Sequence, residues 1–281
     1  MMKSETRAMA AHAYDLRQDV LDIIVSGGGG HIVGDMSSME IMQTLYSRMN
    51  VDPKNPDDPC RDRFVLSKGH CVETLYAVLA DKGFLDIEEV KAKFSRFGSE
   101  YIGHPHNTLP GIEMNSGSLG HGLSVCVGMA LAGRMDKRSY RVYTLMGDGE
   151  LAEGSIWEAL MAGGHYKLDN LCAIVDRNHL QISGNTEDVM GHHDLKARFA
   201  SFDWHVIEVA DGNDIDQLNA AFDEAEATKG KPSILICHTV KGKGSAMMEN
   251  KASWHHHLPN AEEYEQIKAD LKARREAILH E

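Results

Sequence analysis

The sequence has few of the features that favour binding to nucleic acids or to a membrane. Acidic residues outnumber basic residues by 42 to 29 in a chain of 281, which gives a formal net charge of −13. A nucleic-acid-binding protein needs a basic face, and anionic membrane surfaces attract basic segments. No apolar run approaches the roughly 18 residues that a membrane-spanning helix requires. We therefore expect neither nucleic acid nor membrane among the partners of this chain.

The sequence also lacks the cysteine pattern of a disulfide framework. Its 5 cysteines are odd in number and widely separated, and no Cys-x-x-Cys occurs. Reduced thiols in a cytoplasmic protein fit this pattern better. Prolines are few, and neither an internal repeat nor a Pro/Ser-rich linker interrupts the chain. We expect one domain over residues 1–281, which is long enough for a sizeable core.

Strand-like and helix-like segments alternate along the chain. The predicted strands run from Arg63 to Leu66, Tyr140 to Met146, Leu171 to Val175, Trp204 to Val209 and Ser233 to Cys237. Helices are predicted to begin near Ser4, Ser37, Asp86, Gly122, Ser155, Asp214 and Asn260. Ser37 is placed at a helix start because Glu40 follows it at capping-box spacing. This alternation predicts an α/β fold, a parallel sheet flanked by helices on both faces.

Polar residues follow two of these strands. Ligands of parallel sheets bind outside the carboxyl ends of the strands, where Asp148 stands between two glycines and Asn178 follows the next strand. With the main-chain carbonyl of Leu180, they would offer three oxygen ligands. Mg²⁺ prefers such oxygens, together with water and ligand phosphates. A helix N-cap is the alternative role for Asp148.

Two glycine-containing loops are candidates for phosphate binding. Gly117-Ser118-Leu119-Gly120-His121-Gly122 opens a helix, and free amides at a helix start bind phosphate. An ordinary glycine-rich turn is the alternative. The second loop is Lys241-Gly242-Lys243-Gly244, for which a solvated loop and a phosphate contact are both open.

Histidine is abundant, with 16 residues, several of them beside glycine. His31, His70 and His104 each follow a glycine, and Trp254 is followed by three histidines. A histidine titrates near neutrality and suits proton transfer, although a loop histidine can also be an ordinary surface residue. Zinc binding by the triple histidine is a further possibility, but consecutive residues on regular backbone cannot all point at one ion.

Taken in order, these segments resemble the transketolase family, specifically its N-terminal, diphosphate-binding domain. Gly147-Asp148-Gly149 with Asn178 resembles the thiamine diphosphate motif. The other matching segments are Ser67-Lys68-Gly69-His70, Gly103-His104-Pro105, the Gly117 loop, Gly149-Glu150-Leu151-Ala152-Glu153-Gly154, the segment from Asn178 to Gly184, the Lys241 loop and Trp254-His255. The resemblance covers about residues 10 to 260 and implies the thiamine diphosphate-binding fold.

The resemblance implies roles for individual residues. Mg²⁺, or Ca²⁺ or Mn²⁺ in its place, would be bound by Asp148, Asn178 and Leu180. Contacts to thiamine diphosphate would come from His70, Gly117, Ser118, Leu119, Asp148, Gly149, Glu150, Asn178, Leu180, Ile182 and His255. The catalytic set would be His31, His70, His104, His255 and Glu153. Glu153 matches a glutamate that links two active sites across a dimer interface in the family. His256 stands where the family has glycine, so the choice between His255 and His256 is open.

The resemblance also implies a missing half. Transketolases add a pyrimidine-binding domain and a C-terminal domain, for which this sequence offers no candidate residues. We therefore expect a split transketolase, in which a C-terminal partner chain completes the site, as an α₂β₂ assembly. Its reaction would transfer a two-carbon ketol unit between sugar phosphates.

Three alternatives remain open from the sequence. The α chain of a 2-oxoacid dehydrogenase would also carry Gly-Asp-Gly and Asn, but Ser67-Lys68-Gly69-His70 and Trp254-His255 favour transketolase. A noncatalytic interaction protein would have kept the fold alone. A zinc hydrolase would use the histidines as metal ligands.

Overall fold

The structure is a computed structural model that describes residues 4–280. Its centre is a parallel sheet formed by five of the strands in the order β1-β2-β3-β7-β6, and β4 and β5 form a small antiparallel pair. The strands are β1 (Arg63–Leu66), β2 (Val142–Gly147), β3 (Leu171–Arg177), β4 (Leu180–Gln181), β5 (Gly184–Asn185), β6 (His205–Val209) and β7 (Ser233–His238). The predicted α/β class with a parallel sheet is confirmed.

Helices cover both faces of this sheet. They are α1 (Ser4–Gly27), α2 (Ile32–Arg48), α3 (Val72–Asp81), α4 (Ile87–Lys93), α5 (Gly122–Met135), α6 (Gly154–His165), α7 (Thr186–Met190), α8 (Leu195–Ala200), α9 (Ile215–Ala227) and α10 (Ala261–His280). Short 3₁₀ turns lie at Gly69–Cys71, Gly149–Ala152 and Ala252–Trp254. Among the helices of the described residues, none is long and apolar enough to cross a membrane.

The central strands are apolar along their length because both of their faces are buried. Leu145, Ile174 and Leu235 are aligned across neighbouring strands and belong to a core shared with α1, α2, α3 and α9. Met146 and Val175 point to the opposite face and belong to a second core with α5 and α6. The sheet is therefore the middle layer of three, with helices packed against both of its faces.

The start of the second helix differs from the sequence prediction. Ser37 and Glu40 do not form a capping box; they lie inside α2, which begins at Ile32. Ser37 Oγ donates to Asp176 Oδ2 at 2.6 Å, and Glu40 binds Arg17. Both side chains therefore make tertiary contacts instead of capping the helix. By contrast, Asn260 and Glu263 do form the predicted reciprocal cap of α10.

A buried ion pair joins α1 to α2. Arg17 is 0% exposed, and its Nη1 and Nη2 donate to the two carboxylate oxygens of Glu40 at 2.6 Å each. Arg17 Nη2 and Nε also donate to the carbonyl of Met36 at 2.7 and 3.2 Å. Planar, bidentate geometry of this kind is the strongest form of an Arg–carboxylate contact. The pair fixes α2, which supplies one wall of the site described below.

We predict that Arg17→Met destabilises the fold strongly, because it leaves the carboxylate of Glu40 buried without its counter-ion. Removing one partner of a buried pair costs about 3–5 kcal/mol, measured as the free energy of unfolding in urea. The matched control is Lys196→Met, whose exposed ammonium lies 3.3 Å from Glu208; its loss should cost less than about 1 kcal/mol. Equal effects of the two substitutions would contradict this account of α2.

Candidate active site

A cavity of about 510 Å³ opens at the carboxyl edge of the sheet. Six parts of the chain form it: the start of α2, the turn after β1, the loop before α5, the loops after β2 and β3, and the segment after β7. The predicted site residues that line it are His31, His70, Gly117, Leu119, Gly149, Glu150, Asn178, Leu180, Ile182 and His255. Lys68, Gln181, Lys241 and His256 also line it.

Four predicted site residues lie outside this lining. Asp148 is buried beside it, at 1% exposure. Ser118 is exposed on the Gly117 loop, and Glu153 is exposed at the N-cap of α6. His104 lines a neighbouring cleft that it shares with His31. Its ring lies against Gly117, where a Cβ atom would come within 2.9 Å of His104 Cδ2.

Below the cavity, Asp176 at the end of β3 is a buried anion with several donors. Lys68 Nζ lies 2.5 Å from its Oδ2, Ser37 Oγ donates at 2.6 Å and Asn178 Nδ2 at 3.1 Å, and the hydroxyl of Thr239 donates to its other oxygen. Burial alone would raise the pKa of Asp176, but the Lys68 charge and these hydrogen bonds lower it below its ordinary value. The carboxylate therefore stays ionised and holds Asn178 in place.

Asp148 is held by donors from its own neighbourhood. Its Oδ2 accepts from the backbone N–H of His179 at 2.7 Å, from Thr186 Oγ1 at 3.2 Å and from Arg177 at 3.3 Å. Its Oδ1 accepts from Gly149 N at 2.9 Å, so the side chain also caps the 3₁₀ turn that follows. Burial, followed by repulsion from Asp176, raises the pKa of Asp148. The capping role is therefore real, and it does not exclude metal binding.

The oxygens predicted to bind Mg²⁺ already attract cationic side chains. Lys241 Nζ donates to the carbonyl of Leu180 at 2.8 Å, and Arg177 contacts Asp148. Asn178 Oδ1 accepts from the backbone N–H of Leu180 at 3.2 Å. A carboxylate, an amide oxygen and a carbonyl are hard ligands that suit Mg²⁺ with its remaining positions left to water and phosphate. The residues present thus fit this ion.

Glu150 accepts hydrogen bonds from the loops around the cavity. Its Oε1 accepts from Gly120 N at 2.8 Å and from the Ser67 hydroxyl, and its Oε2 accepts from Gly147 N at 3.0 Å. Burial raises its pKa. One carboxylate therefore joins the turns after β1 and β2 to the Gly117 loop. Glu150 also lines the cavity, and its contact to the cofactor stays a prediction.

Gly117 and Gly149 leave room that a side chain would fill. Gly117 has φ +141°, a conformation that favours glycine. At Gly149, a Cβ atom would lie 2.9 Å from Gln181 Cβ. Gln181 Oε1 is buried and has no hydrogen-bond partner among residues 4–280. A phosphate-bearing ligand could approach both backbones closely.

Four histidine rings cluster on the other side of the cavity. The ring centroids of His31 and His70 are 5.0 Å apart, and those of His31 and His255 are 5.3 Å apart. Burial, followed by the charges of nearby His256 and His104, lowers the pKa of His31 to about 4. Burial and the charge of Lys241 lower the pKa of His255 to about 3. The rings of His31 and His255 are therefore neutral at pH 7, and the pKa values of both lie below the ordinary, near-neutral value of histidine.

Two features of the site were missed or left open in the sequence. Lys241 was open between a loop residue and a phosphate contact; it is 3% exposed and reaches Leu180. Asp176 received no role, although its position at a strand end was a usable signal. An aspartate near the end of a buried strand needs a counter-ion or hydrogen-bond donors. Lys68, in Ser67-Lys68-Gly69-His70, is that counter-ion.

Comparisons with known proteins agree with this geometry. Residues 8–277 match the family model described as transketolase, thiamine diphosphate binding domain. The chain is 49% identical over 266 residues to one of the subunits of the apulose-4-phosphate transketolase of Phocaeicola vulgatus, covering 94% of each chain. It is 40% identical over 259 residues to the 6-deoxy-6-sulfo-D-fructose transketolase subunit SqwG of a Clostridium species, covering 92% of this chain and 94% of that protein.

Longer relatives are matched over part of their length. The transketolase of Homo sapiens is 40% identical over 258 residues, which are 90% of this chain and 40% of the human protein. The crystal structure of a Pichia stipitis transketolase superposes with a TM-score of 0.87 at 30% identity, over 97% of this chain and 44% of that one. The chain therefore spans less than half the length of these two proteins. It belongs to the transketolase family, in which it corresponds to the thiamine diphosphate-binding domain.

Proposed function

We propose that this chain is the N-terminal subunit of a split transketolase, which transfers a two-carbon ketol unit from a ketose phosphate to an aldose phosphate. The observation that carries the proposal is the cavity at the carboxyl edge of the sheet, where oxygen ligands on one side face a histidine cluster on the other. Relatives of similar length, each named as a single subunit of a transketolase, support the split arrangement.

The oxygen side of the cavity would hold the diphosphate end of the cofactor. Asp148, Asn178 and the Leu180 carbonyl would bind Mg²⁺, and the Gly117 to Leu119 loop would contact phosphate through its amides. His70, Gly149, Glu150, Ile182 and His255 are the further cofactor contacts that we propose. When bound, thiamine diphosphate supplies the electron sink for breaking the carbon–carbon bond beside a ketose carbonyl.

The histidine side would bind the sugar and transfer its protons. His255 Nδ1 is buried and lacks a hydrogen-bond partner within the described chain, and we propose that this nitrogen takes a proton from a sugar hydroxyl. His31 is the second candidate for this role. His70 and His104 would donate hydrogen bonds to hydroxyl and oxyanion groups; His104 would do so from the neighbouring cleft that it lines.

A second chain would complete the site. We propose that it supplies the pyrimidine-binding half and that the assembly is α₂β₂, with Glu153 facing the interface. Glu153 is exposed at the start of α6, so it is free to contact another chain. Pentose phosphates as substrates and a cytoplasmic location remain predictions.

The partner can be identified by purifying the tagged chain from its own cells under native conditions. We expect a second chain to copurify, and we expect the mixture to transfer ketol units from xylulose 5-phosphate to ribose 5-phosphate, or between related sugar phosphates, when Mg²⁺ and thiamine diphosphate are added. Decarboxylation of pyruvate by the purified mixture would indicate a 2-oxoacid dehydrogenase instead. A chain that recovers no partner and binds no cofactor would overturn the proposal.

We predict that Asp148→Asn weakens binding of thiamine diphosphate with Mg²⁺ by at least about tenfold in the purified complex. The substitution removes the charged ligand, and a hydrogen bond or contact to a charged group contributes about 1.5–3 kcal/mol. Calorimetric titration of the cofactor gives the affinity. Asp188→Asn is the control, because Asp188 is exposed on α7. Unchanged affinity in Asp148→Asn would remove this residue from the proposed metal site.

We predict that His255→Asn lowers kcat by about 10²-fold or more, in line with the loss of a general base, while the affinity for the cofactor changes less. The control is His257→Asn, because the His257 ring pairs with Glu263 outside the cavity. A base is active when unprotonated, and the pKa of His255 is about 3. Its activity should therefore persist from pH 8 down to pH 5 as far as this group is concerned. A variant that changes cofactor affinity alone would contradict the role in proton transfer.

A further inference from the structure

A buried pair of carboxyl groups lies outside the residues assigned above to the cofactor and the sugar. Asp35 on α2 and Glu73 on α3 are both 0% exposed, and their side chains are in hydrogen-bonding contact. Asp35 Oδ1 accepts from the backbone N–H of Thr74 at 2.8 Å, and the carbonyl of Asp35 accepts from Thr74 Oγ1 at 3.0 Å. Asp35 is therefore fixed to the first turn of α3, beside Glu73.

This pair has more oxygen atoms than the protein satisfies. Asp35 Oδ2 and both carboxyl oxygens of Glu73 are buried without a donor from another residue of the described chain. Burial raises the pKa of Asp35, and burial followed by repulsion from Asp35 raises the pKa of Glu73 well above its ordinary value. Two carboxyl groups in one buried place hold a proton between them, because they cannot both ionise. One shared proton joins one oxygen of each group, so the second oxygen of Glu73 still lacks a partner.

Glu73 lines the cleft that neighbours the main cavity. This cleft has a volume of about 360 Å³, and His31 and His104 line it as well. Glu73 Oε1 lies so close to the backbone of Gly30 that a Cβ atom there would come within 2.5 Å of it. At Gly28, by contrast, a Cβ atom would meet no atom of another segment within 4 Å. The glycine segment therefore lets the Glu73 carboxyl group reach the cleft and leaves room for a ligand beside it.

The side chains of this cleft favour neutral hydroxyl groups over a phosphate group. Within the described chain, its polar side chains are Glu73, Ser95, His31 and His104, and its lining contains neither lysine nor arginine. Burial lowers the pKa of both histidines, so their rings are neutral at pH 7. A phosphate would meet the charge of the carboxyl pair without a cationic partner. A sugar hydroxyl, by contrast, can donate to a carboxyl oxygen and accept from an imidazole N–H.

The cleft and the main cavity share one residue, His31, which lines both of them. A sugar held at the histidine cluster is therefore within reach of the cleft, and the lining of the cleft suits the hydroxyl-bearing carbons of that sugar. A buried polar atom without a partner calls for an explanation. A hydroxyl group of the substrate would be the missing donor for Glu73.

We propose that Glu73 is a specificity-determining residue, whose free carboxyl oxygen accepts a hydrogen bond from a hydroxyl group of the sugar substrate in the cleft beside His31 and His104. Asp35 is a positioning residue that holds the Glu73 carboxyl group in place. A site built to pair with a substrate hydroxyl discriminates against analogues that lack it. This inference rests on the proposed function, because the ligand is the sugar phosphate of that reaction.

The test uses the complex of this chain with its copurified partner and measures ketol transfer from xylulose 5-phosphate to ribose 5-phosphate. Glu73→Met keeps the length of the side chain and removes both oxygens. We expect this variant to raise KM for at least one of the two sugars by about tenfold, which corresponds to about 1.4 kcal/mol. Its affinity for thiamine diphosphate with Mg²⁺, measured by calorimetric titration, should stay within about threefold of the wild-type value.

Two further variants separate sugar binding from a structural role. Glu73→Gln should restore KM to within about threefold of the wild-type value, because its amide nitrogen can donate to Asp35 while its oxygen still accepts from a hydroxyl. Glu100→Met removes an exposed carboxylate from the loop before His104 and should leave both KM values unchanged. Circular dichroism with thermal unfolding checks that each variant folds.

A crystal structure of the wild-type complex tests the same contact without a substitution. In crystals soaked with either sugar phosphate, a hydroxyl oxygen should lie about 2.5–3.0 Å from a Glu73 oxygen. Unchanged KM values in a folded Glu73→Met complex would overturn the inference, as would bound sugars that leave Glu73 without a hydroxyl partner. A wild-type complex that transfers no ketol unit between sugar phosphates is a distinct result, which overturns the proposed function and this inference with it.

Discussion

The ion pair between Lys68 and Asp176 is the contact on which the site depends. Both side chains are almost fully buried, at 1% and 0% exposure, so neither charge is solvated by water. Such a pair is tolerable when further hydrogen bonds satisfy both groups. Ser37 from α2, Asn178 from the turn after β3 and Thr239 from the segment after β7 all donate to Asp176. Lys68 in turn donates to the carbonyl of Gly34 at 3.0 Å. Four separate parts of the chain are therefore fixed around one buried charge.

A second buried carboxylate has the same kind of role beside the cavity. Glu150 accepts from Ser67, Gly120 and Gly147, which positions the glycine loop that opens α5. The buried polar groups differ in whether the protein provides their hydrogen-bond partners. Asp176 and Glu150 accept several hydrogen bonds from the protein, whereas among the residues that line the cavity the Gln181 oxygen and the His255 Nδ1 are buried and unpaired within residues 4–280. Those two atoms belong to residues that line the space in which we place the cofactor and the sugar.

Much of the fold followed from local patterns in the sequence. Apolar strands ending at Gly147 and Arg177 alternate with helices, and that rhythm was sufficient to predict a parallel sheet and the edge at which Asp148 and Asn178 meet. The start of α2 was not predictable in this way, because Ser37 is drawn to Asp176, far away in the sequence. The pKa values of His31 and His255 were equally out of reach, since they depend on burial and on charges contributed by other segments. Family resemblance supplied the site residues, but it did not foresee that His256 would approach His31.

We propose that the cavity of this chain is half of a thiamine diphosphate site. The most direct measurement is the stoichiometry of cofactor binding to the complex of this chain with its copurified partner, by calorimetric titration with and without Mg²⁺. We expect one thiamine diphosphate for each copy of this chain, bound when Mg²⁺ is present and lost when a chelator removes it. A complex that binds no thiamine diphosphate in the presence of Mg²⁺ would contradict the account.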